Sequence, residues 1–220
     1  MDKETTNSFL NTIYKASITL PYDYLKIYIN AMSSNIEKDL TSYEAKLEEQ
    51  RKNEGFFSTF MKSVVHEINK VSIPKYFYNA TFIFIYSKFE GDFKTICEAY
   101  QQQKGFKLSV SDLGGQNYIQ RGKTYLEKCF GIDMHSLNTE WEGLTKYQKV
   151  RNAIVHNNSS IIAEKNRPMN EQKLFPIVST NASFSLDDNG DFHIKDKLYL
   201  LNFCDISKTY IEKTLELMDK

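Results

Sequence analysis

A chain of 220 residues holds one large domain, or one domain with an appendage, and is too short for two domains of ordinary size. Its 28 basic and 28 acidic residues cancel, which excludes a strongly basic nucleic-acid binder on overall charge but leaves room for a local basic patch. Nine Gly and four Pro are too few for a turn-rich all-β fold, and 14% aromatic residues can fill a sizeable core. The three cysteines, Cys97, Cys129 and Cys204, are widely spaced and contain no Cys-x-x-Cys, so they fit a reducing cytosol better than a disulfide framework or a zinc site. The opening residues, MDKETTNSF, lack a signal-peptide core, and the apolar stretch Tyr76–Tyr86 is too short to span a bilayer. The expectation is a cytoplasmic protein that does not enter a membrane.

Tyr22–Asn53 reads as a long amphipathic helix. Leu25, Tyr28, Met32, Ile36, Leu40, Tyr43 and Leu47 step by three or four, and Pro21 precedes them. Its charge-rich second half reads as a solvated face, with a coiled-coil partner as the alternative. A shorter helix over Ser58–Val71 stops near Pro74. Tyr76–Gln103 follows, with Phe82, Tyr86, Phe89, Phe93, Ile96 and Tyr100 as one dense core stripe and Glu90 among them. Gln116–Phe130 is a fourth helical segment. A fifth begins at Ser136 or Asn138 and runs to about His156 or Asn158. Residues 157–172 read as a polar loop. Leu174–Ser179, Ala182–Leu186 and Phe192–Ile194 carry strand patterns, and Asp188-Asn189-Gly190 is a hairpin signal. Asn202–Lys220 returns to helix. The predicted fold is mainly α, a helical bundle with a small β-hairpin inserted before the C-terminal helix. It forms one domain over 1–220, with the polar loop and hairpin at about 157–198.

Gly122-Lys123-Thr124 imitates the end of a phosphate-binding loop. The preceding glycine is misplaced, because position 117 is Asn, and the tripeptide sits inside a helix. His66, His135, His156 and His193 have no metal-ligand spacing, so no metal or other cofactor is expected.

The informative segment is Trp141–Ser159. Leu137, Trp141, Leu144 and Val155 mark a buried face, and Arg151, one of only four arginines with Arg51, Arg121 and Arg167, falls on that stripe. A cation there needs a partner or a partly wet interface. His156 lies about 140° around the helix from Arg151, and Asn152 shares the face of His156. One helix end thus gathers Arg, Asn and a residue that titrates near neutral pH, with Asn157 and Asn158 just beyond. The bland account is a histidine at a helix C-terminus and an arginine with a snorkelling stem. Gly143–Lys173, which includes Lys146 and Lys149, carries a net charge of +4, a weak pointer to an RNA-facing surface in a lysine-rich chain.

Arg151-Asn-Ala-Ile-Val-His156 resembles the Arg-x4–6-His signature of the HEPN superfamily, including the polar residue after the Arg. The aromatic stretch Tyr86–Gly91 with acidic Glu90, and the charged early helix Lys38–Asn53, resemble that family's small stand-alone bacterial members. The resemblance covers about Tyr22–Ser160 and the last helix, but not the hairpin. It implies a helical bundle and a metal-independent endoribonuclease acting on single-stranded RNA, with the motif of two copies meeting in a homodimer. His156 would be the general base or acid, Arg151 would stabilise transition-state charge, and Asn152 would orient phosphate or His. Glu90 would support the motif, and Lys146, Lys149, Asn157 and Asn158 would contact RNA. A toxin or phage-defence role is implied, with an inhibitor or activating protein partner. Asn158 stands where one toxin subgroup has a Tyr that its partner enzyme modifies, so that form of control is not carried over. The alternatives are a non-catalytic HEPN-type RNA-binding or protein-interaction module, and a helical scaffold whose Arg and His are structural.

Overall fold

The computed structural model describes residues 3–50, 55–115 and 117–219, with side chains from residue 13 onward. Among these residues are six α-helices and one two-stranded antiparallel hairpin. They run α1 (Lys3–Gln50), α2 (Phe56–Lys104), α3 (Tyr118–Phe130), α4 (Asn138–His156), α5 (Phe175–Ser179), β1 (Phe184–Leu186), β2 (Phe192–Ile194) and α6 (Leu198–Met218). The protein is mainly α, with its small hairpin ahead of the last helix. No helix among the described residues is long and apolar enough to cross a membrane. Arg51, the expected end of the first helix at Asn53, the expected start of the fourth at Gln116 and the terminal Lys220 lie outside the described residues.

Proline is where local signals mislead. Pro21 and Pro74, read as a helix start and a helix stop, both lie inside helices. An interior Pro costs about 3 kcal/mol, an amount that side-chain burial on the adjoining turns can offset. Ile18 and Tyr22 are buried around Pro21, and Tyr78 is buried one turn after Pro74. The inner face of α1 is also rotated from its expected position. Leu47 of the expected stripe is buried, but Tyr28 and Tyr43 are exposed, and Ile29 and Ser33, outside that stripe, are buried in their place. Leu174–Ser179, expected as a strand, contains α5 instead. Pro176 sits in its first turn, where the missing N–H costs nothing and the fixed φ favours helix. The hairpin forms as expected, in the register Phe184↔Ile194, Ser185↔His193 and Leu186↔Phe192, with Gly190 at φ 84° in its turn.

The chain divides into two compact units, residues 1–25, 83–149 and 202–220, and residues 26–82 and 150–201. In the first, Tyr86, Phe89 and Phe93 of α2 pack against Phe203 and Tyr210 of α6, with ring centroids 5.7 Å apart for Tyr86–Phe203 and Phe93–Tyr210. The Tyr22 hydroxyl donates to Asp92 Oδ2 at 2.8 Å, and Lys88 Nζ reaches the same oxygen at 2.7 Å. Burial, then the Asp92 charge, raises the Tyr22 pKa. Burial likewise pushes the Cys97 thiol up to about 12, so Cys97 is a packing residue rather than a nucleophile. In the second unit, Phe184 packs against Phe192 and Tyr199, and Tyr199 against Phe82. Ser33 Oγ and the Tyr78 hydroxyl share a hydrogen bond of 2.6 Å.

The phosphate-loop lookalike has a structural explanation. A Cβ on Gly122 would stand 2.6 Å from Phe93 Cε1 and 3.3 Å from Cys97 Sγ, so the glycine lets α3 approach α2. Lys123 is buried, donates to Asn138 Oδ1 at 3.2 Å, and lies 3.7 Å from Glu127 and 5.0 Å from the Trp141 ring centre. Gly122→Ala is therefore expected to destabilise the fold by about 1–3 kcal/mol, because Phe93 is fully buried and has little room to move. Urea unfolding followed by circular dichroism checks this.

Candidate active site at the end of α4

The last two turns of α4 carry the predicted motif. Val150 and Ala153 face inward and Arg151 is half-buried. Asn152 and His156 are exposed. Val155, expected on the buried face, is exposed, so the apolar stripe of α4 turns away before the helix ends.

The structure brings Arg151, Asn152 and His156 together. Arg151 Nη1 donates to Asn152 Oδ1 at 3.1 Å and lies 3.3 Å from His156 Nε2. One Nη carries two hydrogens, so both contacts can be made at once. With Arg151 as donor, the imidazole accepts at Nε2, which places the proton of the neutral ring on Nδ1. The five-residue spacing does not separate the pair, because the arginine side chain spans the angle between the two positions.

The backbone beyond His156 turns sharply. Asn158 has φ 50° and Ser159 φ 62°, both left-handed. Asn tolerates that region, whereas Ser adopts it at a cost of about 1–2 kcal/mol. Ala153 O accepts from both Asn157 N and Ser159 N at 3.0 Å, which satisfies a carbonyl that the helix end would leave open. The turn is then tied to the hairpin. Phe192 N donates to Ser159 O at 2.8 Å, and Ile161 N donates to Gly190 O at 2.8 Å. Asn79 of α2 closes the arrangement, since its Nδ2 donates to Ser159 Oγ at 3.3 Å and its Oδ1 accepts from Ile194 N at 3.2 Å. Asn79 and Ser159 are positioning residues that the sequence reading missed. Asn79 interrupts an apolar run, and that was the available signal.

The remaining candidates are distributed as follows. Asn157 and Asn158 are exposed on the turn after the motif. Lys146 and Lys149 are exposed on α4 and belong to the first unit. Glu90 is half-buried on α2, also in the first unit. Among the described residues no group of three or more His, Cys, Asp or Glu side chains is placed to hold a metal ion. Comparison with protein-family models, with curated protein sequences and with solved structures finds no match.

Two predictions concern this scaffold. Asn79→Ala leaves the N–H of fully buried Ile194 and the Ser159 hydroxyl without these partners, so a loss of about 1–3 kcal/mol is expected in chemical unfolding. His193 on β2 is half-buried, and its pKa is held below the ordinary imidazole value by burial, then by Lys75 and Lys195. The unfolded chain therefore binds more protons than the folded one as pH falls below its ordinary 6.5. The stability that a neutral His193 contributes is present above that pH and is lost as pH falls through the folded pKa. His193→Gln is expected to flatten the fall of stability below pH 6.5, measured as the difference between parent and variant melting temperatures across pH.

Proposed function

We propose that this protein is a metal-independent endoribonuclease of the HEPN kind, cutting single-stranded RNA by attack of a ribose 2′-OH on its own phosphodiester. The observation that carries this reading is the Arg151–Asn152–His156 cluster at the end of α4, with one guanidinium nitrogen 3.1 Å from the amide oxygen and 3.3 Å from the imidazole nitrogen. An always-charged planar donor, a ring able to move a proton near neutral pH, and an amide to hold phosphate or ring suit that reaction in kind and in reach. In the proposed step His156 Nε2 takes the 2′-OH proton, the 2′ oxygen bonds to phosphorus, and Arg151 stabilises the charge on the phosphorane-like transition state. The bond from phosphorus to the 5′ oxygen breaks, and that oxygen takes a proton. With the motif supplied by two copies in a homodimer, one His156 acts as base and the other returns the proton. Asn157 and Asn158, exposed on the turn that follows the motif, contact the RNA backbone. Such an enzyme acts as a toxin or phage-defence effector in the cytoplasm, held in check by an inhibitor or released by an activating protein.

Purified protein is expected to cut single-stranded RNA in EDTA and to leave a 2′,3′-cyclic phosphate on the 5′ fragment and a 5′-hydroxyl on the other. His156→Ala should lower the rate roughly 100- to 10,000-fold. Arg151→Ala should cost a comparable factor, on the order of 100- to 1,000-fold. Both variants should keep the parent's helicity and melting temperature within a few degrees. If both unfold while the parent cuts no RNA, the pair is structural and the non-catalytic binding-module reading replaces this one.

A further inference from the structure

The hairpin carries a cationic cluster on the side turned away from its core. Phe184, Phe192 and Ile194 are buried, so the alternation of a strand puts Ser185, His193 and Lys195 on the other face. The register sets Ser185 directly opposite His193, and Lys195 follows two residues along from His193. A third basic group arrives from α2. Asn79 Oδ1 accepts from Ile194 N at 3.2 Å, which ties α2 to β2, and Lys75 shares the Asn79 face of the helix one turn earlier. Among the described residues neither Lys75 nor Lys195 is paired with a carboxylate. The acids of the hairpin, Asp187, Asp188 and Asp191, gather at its turn, whereas these bases stand at its open end. Asp187 Oδ1 is taken up by Asn189 N and Asp191 N at 3.0 and 2.9 Å, and Asp196 Oδ1 accepts from Leu198 N at 2.8 Å. His193 registers the resulting field. Burial, then Lys75, then Lys195 hold its pKa below the ordinary value, and Asp187 opposes them with the smallest effect.

We propose that Lys75, Ser185, His193 and Lys195 bind a backbone phosphate of the RNA, one that flanks the phosphate at which the strand is cut. Lysines brought together without a counter-ion repel each other, a cost that a bound anion offsets. The two lysines supply the charge, and the serine hydroxyl and the imidazole N–H supply hydrogen bonds. Asn79 links this cluster to the candidate active site. Its Nδ2 donates to Ser159 Oγ at 3.3 Å, and Ser159 stands three residues beyond His156. Cluster and motif residues belong to the same compact unit. A strand held at the end of α4 therefore has the hairpin beside it. An open face of lysines from two separate elements suits a passing phosphodiester strand better than a small anion, which a nest of backbone N–H groups would enclose. Phosphate contacts fix where a strand lies and carry no base information, so these are positioning residues. The inference rests on the ribonuclease reading for the identity of the polyanion. It gives a role to the hairpin, which the family resemblance does not cover.

The test is fluorescence anisotropy of the full chain with a short, labelled 2′-O-methyl RNA, which has no 2′-OH to react and so reports binding apart from cleavage. Replacing Lys75→Gln and Lys195→Gln together should weaken binding roughly five- to ten-fold per lysine at about 50 mM salt. The logarithmic salt dependence should flatten by about 0.7 per lysine, the single-strand value. Lys195→Gln alone, at an exposed position, should give half that change in slope. Lys46→Gln, which removes an exposed lysine of α1, should leave the slope unchanged. The double variant should keep the parent's melting temperature, and on cleavable RNA its KM should rise while kcat stays near the parent's. A double variant that binds with the parent's slope overturns the inference, as does an equal loss for Lys46→Gln, which marks bulk charge only. Displacement of the RNA by millimolar orthophosphate, but not by chloride at equal ionic strength, overturns it in favour of a small free phosphate. A parent that binds the modified RNA through these lysines yet never cuts the unmodified strand sinks the ribonuclease reading and upholds the phosphate site. A parent that cuts RNA, with a double variant that binds and cuts equally well, sinks the site and leaves the ribonuclease reading intact. A parent with no affinity for RNA overturns both.

Discussion

A helix must end, and the carbonyl and N–H groups it leaves behind must find partners. At the end of α4 that requirement determines the geometry of the candidate site. The turn through Asn158 and Ser159 lets one carbonyl, that of Ala153, accept two backbone donors, and then hands Ser159 to the hairpin. Asn79 completes the arrangement by donating to the Ser159 side chain while accepting from Ile194. The hairpin, read from sequence as an insertion of no assigned role, is thus the clamp that holds the end of α4. Without it the last turn would fray, and Arg151, Asn152 and His156 would lose their common frame. The left-handed Ser159 is a small strain held by these contacts, the kind of backbone cost that concentrates beside functional residues.

Much of this was legible in the sequence. The helical fold class, α3 and α4, the hairpin and its Gly190 turn follow from periodicity and turn chemistry. The gathering of Arg151, Asn152 and His156 at one helix end follows as well, but their direct contact does not, because periodicity puts Arg151 about 140° from His156 and only the length of the arginine side chain closes that angle. What failed was local punctuation overruled by packing. Pro21 and Pro74 carry real penalties, but long helices flanked by buried side chains absorb them. Pro176 worked in the other direction and began a helix where β-type residues suggested a strand. The rotated face of α1 has a similar cause. Tyr28 and Tyr43 look like core residues, yet beside the expected Leu47 it is Ile29 and Ser33 that are buried, and Ser33 is accommodated because the Tyr78 hydroxyl satisfies it. The roles of Asn79 and Ser159 depend on residues 80 and 115 positions apart being brought together, which no local pattern encodes.

The two halves of α2 show why amphipathicity alone does not locate a core. From Phe82 to Phe93 the aromatic stripe is buried. From Phe57 to Val71 a stripe of equal regularity is exposed, and the buried face carries Thr59 and His66. A period fixes which residues share a face. It does not fix which face meets the rest of the chain. That choice is made by the partner, and α1 offers Glu44 and Gln50 to the first half of α2. Charged and amide groups on α1 select the polar face of α2, and the apolar face is left exposed.

The contact between Arg151 and His156 bears on how such a cluster would begin to work. In the neutral ring with its proton on Nδ1, Nε2 holds the lone pair that a general base needs, and that lone pair faces Arg151 Nη1 at 3.3 Å. A guanidinium prefers a phosphate oxygen to a neutral ring nitrogen, because an anionic acceptor forms the stronger, charge-assisted hydrogen bond. Phosphate arriving at Arg151 would therefore draw its donors away from His156 and leave Nε2 open beside the bound phosphodiester. Under the ribonuclease proposal the same event that binds the substrate uncovers the base. Asn152 accepts from the same Nη1 and so keeps the guanidinium from swinging clear as the imidazole contact breaks. A cluster of this kind needs no cleft to hold its groups ready. It needs one helix end fixed firmly enough that three side chains stay within reach, which the clamp of Asn79, Ser159 and the hairpin supplies.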